Sequence, residues 1–188
     1  MTIFIALIRG INVGGKHKIK MADLKSLFEE MGLVRVETYI QSGNILFESD
    51  ENEAMLRTSI EHEIEKNFKI STAVILRTAS ELERLIQDCP FSKQEIDDAV
   101  SLNMEGESLY VNLLSHFPDQ EKIEYLNCFK SEKDDFRVIN RDIYLLLNHS
   151  IRTSKLANNL QKLDIPSTMR NWKTLSKLLV LTKTRTNL

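Results

Sequence analysis

The chain has 188 residues, 42% of them hydrophobic and 28% charged, with a net charge of −2. That suffices for one large or two small globular domains whose core needs no disulfide or metal staple. The longest apolar runs, TIFIALI and IYLLLN, are strand-sized, no signal-type segment opens the chain, and Cys89 and Cys128 lack CxxC neighbours; a cytoplasmic protein without a membrane segment is expected.

Thr2 to Ile8 reads as a buried strand. Arg9 to Ile19 is a glycine-rich loop. From Met21, apolar residues at Leu24, Leu27, Phe28 and Met31 predict a helix closed by Gly32. VRVETYI and ILFES form a hairpin around the turn QSGN. Asp50 with Glu53 opens a helix that Met55, Ile60, Ile64 and Phe68 carry to about Asn67. TAVILR is a further strand, and Ser80 with Glu83 predicts a capping box for a short helix before Pro90. The polar stretch FSKQEIDDAVSLNMEGE connects the halves, with some helix of its own.

The order then begins again. SLYVNLL is a strand, DQEKIEYLNCF a helix after Pro118, DFRVIN and DIYLLLN a hairpin around Asn140-Arg141, and TSKLANNLQKL a helix. A last helix is expected from Thr168, with Trp172, Leu175, Leu178 and Leu179 as its apolar stripe. The expected class is α+β: residues 1–90 form a ferredoxin-like split βαβ unit, β-α-β-β-α-β. Residues 91–107 connect it to a second α+β unit, 108–188, of order β-α-β-β-α-α. The halves share an order of elements but no residue-level repeat.

Chemistry concentrates in the first loop. RGINVGGKHKIKM spaces Gly10, Gly15 and Lys16 as a phosphate-binding P-loop does, but His17 stands where Ser or Thr should hold Mg²⁺. No strand ends in a Walker B aspartate, and the split βαβ order is not that of a parallel sheet. A Walker ATPase is set aside, although Gly14-Gly15-Lys16 could still present an anion nest. The topology places the loop after strand one and the turn QSGN at one sheet edge. The loop is also roughly twice the length such a connection needs.

Charge points the same way. Arg9 to Lys20 carries +4 and Ile165 to Leu188 carries +5 with no acid in either, so the remainder holds −11. Either the two basic runs meet as an anion-facing patch or they are separate solvated surfaces. TMRNWKT places Arg170 and Asn171 in the expected first turns of the last helix: either they complete a basic pocket, or Thr168 is the N-cap, Trp172 core and Arg170 surface. Of the four histidines, His17, His62, His116 and His149, none has metal-ligand spacing, so no metal is expected. Cys128 reads as core, His62 as exposed and His149 as structural.

These motifs carry a resemblance. RGINVGGKHKIKMADLKSLFEEMG, TYIQSGNILF, TSKL and TMRNWKT, in that order, resemble the bacterial family known as domain of unknown function 1697, over Thr2 to about Leu181. The resemblance implies a small cytoplasmic α+β protein of ferredoxin-like character and supplies no activity or cofactor. Its motif positions fall on Arg9, Gly10, Asn12, Gly14, Gly15, Lys16 and Met21, on Gln41 to Asn44, on Ser154 and Lys155, and on Thr168 and Arg170 to Trp172. His17 departs from the Asn expected there.

Three functions stay open. The first is binding of a small phosphate- or carboxylate-bearing ligand, such as a nucleotide or an RNA end, by Arg9, Asn12, Gly14, Gly15, Lys16, Ser42, Asn44, Arg170 and Asn171. No RNP-like aromatic run supports RNA on the sheet face. The second is an enzyme acting on such a ligand, for which no nucleophile or base stands out. The third is an interaction or structural module in which the polar residues lock the two halves together. Oligomeric state is not legible.

Overall fold

The structure, a computed structural model, describes residues 1–186. It contains two compact units, 1–84 with 177–188 and 85–176. The chain leaves the first unit after Arg84 and re-enters it inside its last helix.

The first unit runs β1 (Thr2–Ile8), α1 (Met21–Glu30), β2 (Val34–Tyr39), β3 (Asn44–Ser49), α2 (Glu53–Phe68), β4 (Val74–Thr78) and α3 (Ala79–Gln87), α3 crossing the boundary. The strands order as β2-β3-β1-β4, and each neighbouring pair is antiparallel. With a helix after β1 and another after β3, this is the ferredoxin-like arrangement that the element order predicts. Alternate residues of the strands, among them Phe4, Ala6, Ile8, Ile45, Phe47, Val74 and Leu76, form one core with Leu24 and Phe28 of α1 and with Leu56, Ile60 and Ile64 of α2. Phe47 stacks on Phe4 at 5.7 Å and meets Phe28 edge-on at 5.5 Å. Truncating such a buried ring to Ala costs about 3–5 kcal/mol. Gly32 ends α1 as expected: its N–H donates to the Glu29 carbonyl and the Leu33 N–H to that of Phe28, a Schellman motif with Gly32 at φ +80.

The second unit runs α4 (Lys93–Leu102), β5 (Leu109–Leu114), α5 (Gln120–Asn127), β6 (Asp134–Ile139), β7 (Asp142–Leu147), α6 (Lys155–Asn159), a 3-10 turn (Leu160–Leu163) and β8 (Ser167–Asn171), then the start of α7 (Trp172–Thr186). Its strands order as β6-β7-β5-β8. The core on its helical side joins Leu114, Phe136, Ile143, Leu145 and Leu147 to Leu126 of α5, Leu156 of α6 and Leu160 of the 3-10 turn.

The α+β class with two similar halves holds, but several details differ from the sequence reading. Asn52, not Asp50, caps α2, its Oδ1 accepting the Met55 N–H at 2.9 Å. The helix expected over TSKLANNLQKL is α-helical only to Asn159 and tightens to the 3-10 turn after it. Ser167–Asn171 is a strand, not the first turn of a helix: it pairs antiparallel with β5 from Leu114↔Ser167 to Tyr110↔Asn171. The open edge of β5 recruits a short polar segment whose own pattern is ambiguous. Asn171 then does the capping expected of Thr168, its Oδ1 accepting the Thr174 N–H at 2.9 Å. The capping box of α3 is Thr78 with Glu81 rather than Ser80 with Glu83; the Thr78 hydroxyl accepts the Glu81 N–H and the Glu81 carboxylate accepts the Thr78 N–H. Cys128 is exposed, because Leu126 takes the buried position at the end of α5.

The expected connector holds α4, fixed by a Ser92–Glu95 capping box. Arg137 of β6 lies over the Phe91 ring at 4.2 Å and pairs with Glu95. This guanidinium, with hydrogen bonds from Ser92, holds the Glu95 carboxyl at about 2. The lowered value means that the pair's contribution is present above the ordinary Glu range and fades as pH falls from about 4.5 to about 2. We therefore expect Glu95→Gln to flatten the acid limb of the stability–pH curve over that window. The effect should be weaker in high salt because the pair is solvent-screened; chemical denaturation at stepped pH measures it.

Candidate functional site

β1 and β3 pair as far as Leu7↔Asn44, and the Ile8 N–H donates to the Gly43 carbonyl at 2.8 Å. The loop after β1 and the turn before β3 therefore leave the sheet at one edge, as the topology requires.

Within that loop, the glycines form a hairpin tip. The Lys16 N–H donates to the Val13 carbonyl at 3.1 Å across Gly14 and Gly15, whose φ values are +60 and +78. Two left-handed residues closed by that bond make a type I′ turn, which glycine adopts without steric cost. A second rung joins the Asn12 N–H to the His17 carbonyl at 3.1 Å. The P-loop spacing is thus the spacing of a small hairpin, and the Lys16 amide is spent on the turn.

Asn12 closes the base of this hairpin. Its Oδ1 accepts the Ile19 N–H at 2.8 Å, and its Nδ2 donates to the Ile19 carbonyl and to the Gln41 carbonyl, both at 2.9 Å. The side-chain amide behaves as an extra backbone unit and welds the loop to the turn. Beneath it, Ile11 is 1% exposed. A Cβ added to Gly43, at φ +71, would lie 2.9 Å from the Ile11 side chain and 3.0 Å from Ile8 Cβ. Asn44 is fully buried; its Nδ2 donates to the Tyr39 carbonyl at 3.1 Å and to Ser42 Oγ at 2.9 Å.

Beside this frame lies an open cleft of about 700 Å³ lined by Asn12, Gly15, Lys18, Ile19, Lys20, Asp23, Gln41 and Phe68. Lys20 is the N-cap of α1 and makes no side-chain cap, and Asp23 sits in the first turn. The side chains of Lys18, Lys20 and Asp23 are exposed and form no ion pair among the described residues. Phe68 ends α2 and packs partly against the core. Of these residues, the sequence reading singled out Asn12 and Gly15 for binding. Lys18 and Lys20 were visible only as part of the basic run, Gln41 as part of QSGN. Phe68 gave no local signal, because α2 delivers it from another part of the chain.

The remaining expected binding residues are placed as follows. Arg9 and Lys16 are exposed. The Arg9 backbone is held by the Ala73 carbonyl at 3.0 Å and the Thr72 hydroxyl at 2.6 Å. Arg170 and Asn171 belong to the second unit. Arg170 is buried in β8, donates to Thr168 Oγ1 and the Met169 carbonyl at 2.8 Å, and burial pushes its guanidinium down to about 10. Also in the second unit, His149 Nε2 lies 2.7 Å from the buried Asp134 carboxylate and Nδ1 lies 3.1 Å from Thr153 Oγ1, while Ser154 donates to Asp134 and caps α6. This network fixes the loop after β7. Among the described residues no three His, Cys, Asp or Glu side chains converge as a metal site, and no helix is long and apolar enough to cross a membrane.

The frame makes predictions for three substitutions. Asn12→Asp replaces two N–H donors with an oxygen facing the Ile19 and Gln41 carbonyls, and should cost about 1–3 kcal/mol in chemical denaturation. Gly43→Ala combines a left-handed backbone with crowding against Ile11, and should cost about 2–4 kcal/mol. Gly14→Ala, with open space around its Cβ, should cost only about 1–2 kcal/mol.

Comparison with known proteins accords with this architecture. The solved structure of conserved bacterial protein SP0830 from Streptococcus pneumoniae superposes with a TM-score of 0.71 at 25% identity, over 95% of this chain and 97% of that one. No curated protein matches the chain. The model of the family described as a protein of unknown function, DUF1697, matches residues 1–144. That span includes the hairpin loop, the QSGN turn and every residue of the cleft, and stops short of Arg170 and Asn171. The chain belongs to the DUF1697 family.

Proposed function

We propose that the first unit binds a small ligand bearing a phosphate or carboxylate in the cleft between the hairpin loop and the start of α1. The observation that carries this reading is the set of cations on one loop. Arg9, Lys16, Lys18 and Lys20 form no ion pair among the described residues, and two of them line the cleft. Unpaired ammonium groups beside a concave surface are what an anion requires. The uncapped first turn of α1 adds N–H groups and the positive end of the helix dipole at the same wall.

In this reading the expected site residues divide by role. Asn12, Ser42 and Asn44 are a scaffold, since their hydrogen bonds go to the loop and the turn. Gly14 and Gly15 shape the hairpin that presents the lysines. Lys18 and Lys20 make the contact, with Arg9 and Lys16 contributing longer-range attraction. Arg170 and Asn171 are not required. The protein acts in the cytoplasm, where Cys89 and Cys128 stay reduced.

A thermal-shift panel at low salt tests this, using phosphate, phosphosugars, nucleotides and dicarboxylates. A ligand at one hundred times its Kd adds about 2.7 kcal/mol, a shift of several degrees for this chain length. Lys18→Ala/Lys20→Ala should keep the apo melting temperature within about a degree, since neither ammonium is paired, and abolish the shift. A flat panel for the native chain would sink the reading.

A further inference from the structure

The cleft is too large and too apolar on one side for a bare anion. Its volume of about 700 Å³ matches that of sites for molecules the size of a nucleotide. Phosphate or a dicarboxylate held by Lys18 and Lys20 would leave the half-buried ring of Phe68 facing water, while Ile19, the other apolar residue of the wall, is already buried in the core. The partial burial of Phe68 fixes that ring at the end of α2 with one side on the core, so its orientation costs a ligand no ordering. A flat, π-bearing group laid on it recovers the apolar contact.

The polar groups narrow the choice. Asp23 stands one turn from Lys20 and lines the same cleft. A carboxylate repels a ligand that is only an anion, but accepts hydrogen bonds from vicinal hydroxyls. The two ammoniums and one carboxylate balance a doubly charged monophosphate better than a triphosphate. Gln41 offers both a donor and an acceptor, as the edge of a heterocyclic base requires.

We propose, resting on the anion-binding reading above, that this cleft takes a nucleoside 5′-monophosphate unit. Its phosphate sits at Lys18 and Lys20, its ribose hydroxyls at Asp23 and its base on Phe68, with Gln41 at the base edge. The unit is either a free mononucleotide or the phosphorylated 5′ end of an RNA; both offer the same chemistry.

Calorimetric titration of the whole chain at low salt tests the assignment. The probes are the four ribonucleoside 5′-monophosphates, ribose 5-phosphate, inorganic phosphate and a 5′-phosphorylated trinucleotide. At least one monophosphate should bind about tenfold or more tighter than ribose 5-phosphate, the size of a base-stacking contribution. Phe68→Leu keeps the apolar packing and removes the π face. It should bring the nucleotide down to the level of ribose 5-phosphate and leave ribose 5-phosphate unchanged. Binding of the trinucleotide as tight as the best mononucleotide, or tighter, assigns the RNA end; much weaker binding assigns the free nucleotide. Ribose 5-phosphate matching every nucleotide, or Phe68→Leu leaving the preference intact, overturns the base subsite and leaves the anion reading standing. No measurable binding by any probe overturns both.

Discussion

One side-chain amide holds the loop end of the first unit in place. Asn12 pairs with both the N–H and the carbonyl of Ile19 and reaches the Gln41 carbonyl. A loop that carries four cations would otherwise spread, since like charges on a short segment repel. The amide supplies three hydrogen bonds whose partners are backbone groups, so they do not compete with a ligand. Ile11 and Gly43 add a steric constraint below it: the isoleucine fills the space that only glycine leaves open. The hairpin tip, the lysines and the cleft all depend on this junction for their positions.

The junction also changes what the loop motif means. A run of Gly, Asn, Gly, Gly and Lys reads naturally as a list of ligand contacts. The hydrogen bonds assign most of it to architecture instead. Gly14 and Gly15 turn the chain, Asn12 and Asn44 satisfy carbonyls, and the lysines after the turn stay exposed at the surface. A scaffold of neutral amides under a rim of flexible charges separates shape from attraction, so the rim can vary in sequence without loss of the loop.

Much of the fold was legible because its signals are local. The continuous apolar run at Thr2 to Ile8, the helical stripe from Met21 to Phe28 and the glycine stop at Gly32 each announce themselves within a dozen residues. The meeting of loop and turn followed from element order alone. What escaped was set by distant partners. Ser167 to Asn171 becomes a strand because β5 has an edge to fill, and nothing in STMRN states that. Cys128 follows the apolar rhythm of α5 yet falls outside, because Leu126 takes the buried position near the end of a short helix. Phe68 could not be linked to the loop because only the packing of α2 brings it there. Lys18 and Lys20 were present in the charge count, but their separation from the scaffolding residues needed the hydrogen bonds.

The last feature concerns the order in which the first unit can become complete. β2 is an edge strand of its sheet. Buried Arg185 fastens it, with one guanidinium nitrogen on the Arg35 carbonyl at 2.7 Å and another on Glu37 at 2.9 Å, a span of 150 residues for the Arg35 contact. During synthesis from the ribosome, all four strands and both sheet-covering helices of this unit emerge long before that arginine. The second unit emerges in between, with its sheet-forming segments contiguous in sequence. A nascent first unit therefore carries an unclamped strand edge while the rest of the chain is made, the kind of edge that invites wrong pairing. Arg185 acts as a late fastener, and the vulnerability of this fold lies in the interval between translating Arg35 and translating residue 185.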